Sequence, residues 1–209
     1  NYQFFTQALN NAAQQRRTLE NKLRQALAKN EFELHYQPQV NMANGVIFSG
    51  EALLRWRQPG KEPISCGGLI SIAEETGLIL SIGEWVLRKA CRQLKQWQDA
   101  GYPELRIAVN LSPRQFYQPH FFDMIAEILD ESGLAATGLD LEITEGLLLQ
   151  RSDDTVEILN RLSGMGIQLS VDDFGTGYSS LAYLQRFPVH ALKIDQSFIR
   201  GIGPPSGNT

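Results

Sequence analysis

The 209-residue chain predicts an α/β protein built as a β/α barrel, and two observations carry that expectation. Strand-like and helix-like segments alternate along it, which predicts a parallel sheet or a barrel. Within the strands apolar and polar residues take turns, so one face is apolar and the other collects polar groups. Strands of a doubly wound sheet are covered on both faces and read apolar throughout. Helices on one face only, with polar side chains converging on the other, describe a barrel.

Residues 9–28 read as a helix, because Leu19, Leu23 and Leu27 recur every fourth residue on a surface otherwise rich in Gln, Arg and Lys. Such a stripe can pack on a neighbouring domain or on a second copy of the chain. Asn30 ends it. Strands follow at 32–38, 46–54, 106–111, 139–144, 167–172 and 190–195, and helices at 68–76, 82–99, 119–132, 153–163 and 178–186. In the strands Ile107 and Val109 oppose Ala108 and Asn110, Leu141 and Ile143 oppose Glu142 and Thr144, and Leu169 and Val171 oppose Ser170 and Asp172. Barrel active sites lie at the C-terminal ends of the strands. The last polar residues of the inner parity are Gln37, Glu51, Asn110, Glu142, Asp172 and Lys193.

Composition narrows the function classes. The net charge of −4 argues against a surface that coats a nucleic-acid polymer. Two cysteines, Cys66 and Cys91, have no metal-ligand spacing and make no disulfide scaffold, which points to a reducing, cytoplasmic setting. No apolar run reaches the ~20 residues of a membrane span, so this segment is expected to make no membrane contact. His35, His120 and His190 are scattered, which disfavours zinc.

Glu51, Asn110, Glu142 and Asp172 offer hard oxygen ligands, suited to Mg²⁺ or Mn²⁺ and, by ligand type, to Ca²⁺. The stretch "LSVDDFGTGYSS" (169–180) ends a strand on two adjacent aspartates, with a glycine, Gly175, two residues on. Paired carboxylates repel each other, and bound cations would offset that cost. Asp173 is placed to hold a second ion, with Asp172 bridging the two. Two divalent ions about 3.5–4 Å apart are a recurrent device for phosphoester hydrolysis. Lys193 can steady the attacking water or the developing charge, and Arg55 can clamp a phosphate oxygen. The structural alternative is a polar interior of salt bridges.

These residues carry a resemblance. "YQP" (36–38), "EALLRW" (51–56), "NLS" (110–112), "LEITE" (141–145), "DDFGTGYSSL" (172–181) and "LKID" (192–195) resemble, in order, the motifs of the EAL domain family. The resemblance implies a metal-dependent phosphodiesterase that opens cyclic di-GMP to linear pGpG. It implies a TIM-like barrel whose first strand runs antiparallel. By position, Glu51, Asn110, Glu142 and Asp172 match metal ligands, and Asp173 matches the ligand of a second ion. Lys193 matches the lysine near the catalytic water. Gln37, Leu53 and Arg55 match substrate-contacting positions. Glu145 matches the glutamate that holds the "DDFGTG" loop in shape, so Lys193, Asp172 and Glu145 form the expected catalytic group. Mg²⁺ or Mn²⁺ is the expected cofactor, with Ca²⁺ inhibitory, and a homodimer is expected. Gly175 and Gly177 are read as the residues that let the loop fold tightly beside the site.

The opening "YQFFT" and the leucine-striped helix resemble the end of a GGDEF domain and its linker. The expected division is therefore residues 1–29 as a remnant of that junction and 30–209 as the EAL domain, with an upstream GGDEF or sensor domain as partner. Two departures stand out. Cys66-Gly67-Gly68 replaces the family's usual helix start, so that helix is expected to begin late. Only six barrel strands are counted, and the family's later "EGVE"-like and "QGY" motifs are missing, so two further strands are expected from a continuation or another chain. A non-catalytic cyclic di-GMP receptor, or an interaction module with the same fold, is the competing reading.

Overall fold

The computed structural model describes residues 7–57, 60, 64–65, 67–149, 153–176 and 186–199. Helix α1 (Gln7–Ala28) leads into the hairpin β1 (Phe32–Val40) and β2 (Ile47–Trp56). The short β3 (Ile64–Ser65) precedes α2 (Gly67–Thr76) and α3 (Leu78–Asp99). Next come β4 (Arg106–Leu111), α4 (Pro113–Phe116), α5 (Phe121–Ser132) and β5 (Leu139–Thr144). The described chain ends with α6 (Glu145–Leu149), α7 (Asp153–Gly164), β6 (Gln168–Phe174), β7 (Ala191–Ile194) and α8 (Gln196–Ile199).

The strands form one sheet in the order β1-β2-β4-β5-β6-β7, with β3 paired to β2. β1 runs antiparallel to β2, and the pairings from β2 through β7 along that path are parallel. The α/β class and the antiparallel first strand expected from the sequence are both present. The sheet is curled. β2 and β7 lie four strands apart along the path, about 19 Å at the usual inter-strand spacing. Yet Lys193 of β7 reaches Glu51 of β2 at 2.9 Å. Two side chains cannot bridge that span across a flat sheet.

Curling divides the two faces by polarity. On the outside, Ile107, Leu139, Leu141, Ile143, Leu169 and Val171 are fully buried. Over them pack Ile82 and Leu87 of α3, Ile125 of α5 and Leu159 of α7. The α1 stripe is settled as well: Leu23 is buried within this core, with Leu19 and Leu27 packed against it. That covers apolar surface at roughly 25 cal/mol per Å².

Several boundaries differ from the sequence expectation. α2 begins at Gly67, not late, and α3 begins at Leu78 rather than 82. Gly77, at φ 80°, takes the left-handed turn that separates the two. The helix expected over 119–132 is present as α5, beginning at Phe121 after His120 at φ 66°, and the short α4 before it was not expected. Neither β3 nor α6 was expected; α6 follows β5 with no connecting loop. The helix expected over 178–186 lies, but for Arg186, outside the described residues. Cys91 is a buried free thiol. No helix of the described residues is long and apolar enough to cross a membrane.

Candidate active site

Five strands each deliver one side chain to the inner face: Glu51 from β2, Asn110 from β4, Glu142 from β5, Asp172 from β6 and Lys193 from β7. The parallel register aligns Asn110 with Glu142 and sets Asp172 beside Thr144. The Lys193 ammonium is the hub. It donates to Glu51 Oε2 at 2.9 Å and Glu142 Oε2 at 2.7 Å, and stands 3.4 Å from Asp172 Oδ1. Asn110 Nδ2 donates to Glu51 Oε1 at 2.8 Å.

The charges are unbalanced, and the directions of the pKa shifts follow from it. Burial alone would raise the Glu51 pKa, but hydrogen bonds from Lys193 and Asn110 outweigh it and hold it below the usual carboxylate range. Glu142 is 2% exposed. Burial pushes its carboxyl up to about 7 against the pull of Lys193, with repulsion from Glu51 and Asp172 adding to the rise. Burial works against the charged Lys193 ammonium too, yet its bonds to Glu142 and Glu51 prevail and raise its pKa. Three carboxylates against one ammonium leave an excess of negative charge. Such a site welcomes a cation.

Asp173 solves a geometric problem. Adjacent strand residues face opposite ways, so the neighbour of an inward Asp172 should point outward. The β6–β7 register shifts between Val171 and Phe174, and Asp173 takes φ 53°. This bulge in the pairing re-aims the second carboxylate. Asp173 consequently lines a cavity of about 460 Å³ together with Asn110, Thr144, Leu53 and Arg55. Burial raises its pKa, and Asp172 and Asp195 raise it further.

The glycine after the aspartates has its own reason. Gly175 sits at φ 100°, and a β-carbon there would stand 2.8 Å from the Phe198 ring of α8. Its N–H donates to Glu145 Oε2 at 2.8 Å, which ties the start of the loop to the first residue of α6. Gly177 lies outside the described residues. Gln37 of β1 pairs in register with Glu51 of β2 and is exposed at the site's edge.

Sequence reasoning missed three features. Gln39, of the same parity as Gln37, donates from Nε2 to Glu142 Oε1 at 3.5 Å. Extending the alternation by one repeat along β1 would have found it. Beneath the ring of carboxylates, Ser170 Oγ lies 2.9 and 2.8 Å from the two oxygens of Asp140. Burial raises the Asp140 pKa despite that bond. The third is Gln115 on α4, which is 3% exposed and lines the same cavity.

The oxygen donors suit a hard cation, and their uncompensated charge fits one. Among the described residues, however, no group of three or more His, Cys, Asp or Glu side chains stands ready to hold a metal ion. The space between Glu51, Glu142 and Asp172 is taken by Lys193. Ligation of a cation by these residues would therefore require the ammonium to draw back.

The EAL domain family matches residues 20–208. The chain belongs to the EAL domain family. Cyclic di-GMP phosphodiesterase NbdA of Pseudomonas aeruginosa is 45% identical over 202 residues, covering 97% of this chain and 26% of that protein. The bifunctional diguanylate cyclase/cyclic di-GMP phosphodiesterase MucR of the same organism is 45% identical over 205 residues, covering 98% and 30%. A solved complex of the PaMucR phosphodiesterase with c-di-GMP matches with a TM-score of 0.84 at 47% identity, over 88% of this chain and 74% of that one. This EAL chain thus spans under a third of the length of those two curated relatives.

Proposed function

We propose that this EAL domain hydrolyses cyclic di-GMP to linear pGpG with Mg²⁺ or Mn²⁺ as cofactor. The observation that carries the reading is the convergence of Glu51, Asn110, Glu142, Asp172 and Lys193 at one end of the inner face, beside a cavity reached by Arg55 and Asp173. The names borne by NbdA and MucR support the substrate. In the reaction a water oxygen adds to phosphorus, the P–O3′ bond breaks, and the departing 3′ oxygen takes up a proton.

Glu51, Asn110, Glu142 and Asp172 would hold the metal, and Asp173 would hold a second ion with Asp172 shared. Bound there, the cation supplies a more acidic water and offsets charge on the phosphate. Lys193 keeps its proton and places a positive charge beside the site of attack. Arg55 binds a phosphate oxygen, while Gln37 and Leu53 contact the dinucleotide at the rim. Glu145 holds the loop through Gly175.

Incubation with cyclic di-GMP tests this directly. Mg²⁺ or Mn²⁺ should yield pGpG, whereas Ca²⁺ should permit binding with little cleavage, because the larger ion binds more loosely and acidifies water less. Equal rates in Ca²⁺ and Mg²⁺ would contradict the site. The grip of Lys193 on three carboxylates favours one second reading, a receptor that binds cyclic di-GMP without cutting it; binding with no pGpG in either Mg²⁺ or Mn²⁺ would select it. The family resemblance further supports a homodimer, a cytoplasmic location and an upstream GGDEF or sensor domain.

A further inference from the structure

Gln115 is held in place more firmly than a helix cap needs. Ser112 and Gln115 form a reciprocal capping box at α4: the Gln115 N–H donates to Ser112 Oγ, and the Ser112 N–H donates to Gln115 Oε1, each at 3.3 Å. Because Oε1 is the acceptor in that box, the other terminal atom must be the NH₂. The neighbouring Arg114 anchors the same turn by donating to the backbone carbonyls of Glu74 and Glu75 at the end of α2.

The amide then presses against α3 where that helix has a glycine. A β-carbon at Gly83 would lie 1.9 Å from Gln115 Nε2, so only glycine leaves room for the group. Yet Nε2 itself has no hydrogen-bond partner among the described residues, although Gln115 is 3% exposed. Ser49 Oγ is the one buried side-chain polar atom without a partner among the described residues, so Nε2 is not sealed in the core. It is an open donor on a residue that lines the 460 Å³ cavity, where a ligand acceptor can satisfy it.

The two sides of that cavity differ in chemistry. Arg55, Asn110 and Asp173 supply charge and polarity, as a phosphodiester and its cation require. Around Gln115 the wall is α3, with Ile79, Ile82 and Val86 flanking Gly83. Glu74 of α2 lines the same cavity. A mostly apolar wall with a neutral donor and a carboxylate acceptor suits the flat face and mixed donor–acceptor edge of a purine rather than an anion. Guanine presents O6 as an acceptor where adenine presents an amino donor.

We infer that Gln115 is a specificity-determining residue, whose Nε2 donates to O6 of one guanine of the bound dinucleotide. This rests on the cyclic di-GMP reading above. Gly83 and Ser112 are positioning residues: one admits the amide and the other fixes its orientation. A site built to donate to a ligand oxygen discriminates strongly against an analogue that lacks it.

The test is the affinity ratio for cyclic di-GMP over cyclic di-AMP, measured by calorimetry in Ca²⁺ for the parent and Gln115→Glu. A glutamate can still accept from the Ser112 N–H, so the cap survives, but it turns an acceptor toward the ligand. The ratio should fall at least tenfold, with cyclic di-AMP binding gaining on cyclic di-GMP. A merely structural role would weaken both ligands alike; a ratio within threefold of the parent overturns the inference, whatever happens to overall affinity. If Gln115→Glu fails to fold, Gln115→Met keeps the side-chain length without the donor and should likewise lower the ratio at least fivefold; an unchanged ratio overturns the inference equally. A parent protein that bound no cyclic di-GMP would overturn the function reading itself, and with it this one, before any variant was compared.

Discussion

The two faces of the curled sheet are made by the same strands and answer to different physics. Leu141 and Glu142 are neighbours on β5, and both are almost completely buried. Leu141 sits in a continuous apolar layer under the helices. Glu142 sits in a ring of like charges relieved by one lysine, with its carboxyl pushed up to about 7. The outer face stabilises the fold. The inner face gathers like charges at a cost, and the proposed hydrolysis would be the reason to keep such a cluster.

Four substitutions or titrations would break or sharpen that contrast. The largest effect belongs to Asp172, which approaches Lys193 and is proposed to be shared between two ions. Asp172→Asn should abolish hydrolysis, by at least a hundredfold in kcat, while the thermal midpoint stays within a few degrees. Activity within tenfold of the parent would remove Asp172 from the proposed site.

Leu141→Ala probes the other face. Emptying a fully buried leucine position should cost about 2–5 kcal/mol in denaturant unfolding. A loss under 1 kcal/mol would mean that the outer layer is not the source of stability.

A third expectation is the pH profile in the absence of divalent ions. The folded Glu142 pKa of about 7 lies above its ordinary value of 4.5. The folded protein therefore binds more protons than the unfolded chain between those values, and stability should fall as pH rises from about 4.5 to about 7. Asp140 and Asp173 shift in the same direction, while Glu51 shifts oppositely and acts at the acid end, where its contribution fades as pH falls. Glu142→Gln should flatten the slope between pH 4.5 and 7, read by chemical denaturation at several pH values. An unaltered slope would show that another group carries the titration.

The smallest effect is at Glu145. Glu145→Ala removes the acceptor of the Gly175 N–H. Activity should drop several-fold to tenfold while the number of bound metal ions, counted by calorimetry, is unchanged. A lost metal site would make Glu145 a ligand rather than the anchor of the loop.

Much of this was legible in the chain itself, because strand alternation is local. Leu139, Leu141 and Ile143 announce an outer face, and the intervening Glu142 announces an inner one, since successive side chains must point opposite ways. The same parity rule nominated Gln37, Glu51, Asn110, Asp172 and Lys193. The order of the motifs marked the family, which matches residues 20–208.

Only the tertiary structure decided how these groups meet. Lys193 and Glu51 are 142 residues apart in sequence, and curling of the sheet puts them in contact. The bulge that turns Asp173 toward the cavity comes from the pairing of β6 with β7, which no count along β6 reveals. The fit of Gln115 against Gly83 joins α4 to α3 across 32 positions (115 − 83), where a glycine inside a helix reads from sequence only as a weak point. Alternation is a property of one strand, so the sequence carries it. Curvature, register and close approach arise between elements, and their energies exist only once the chain has folded.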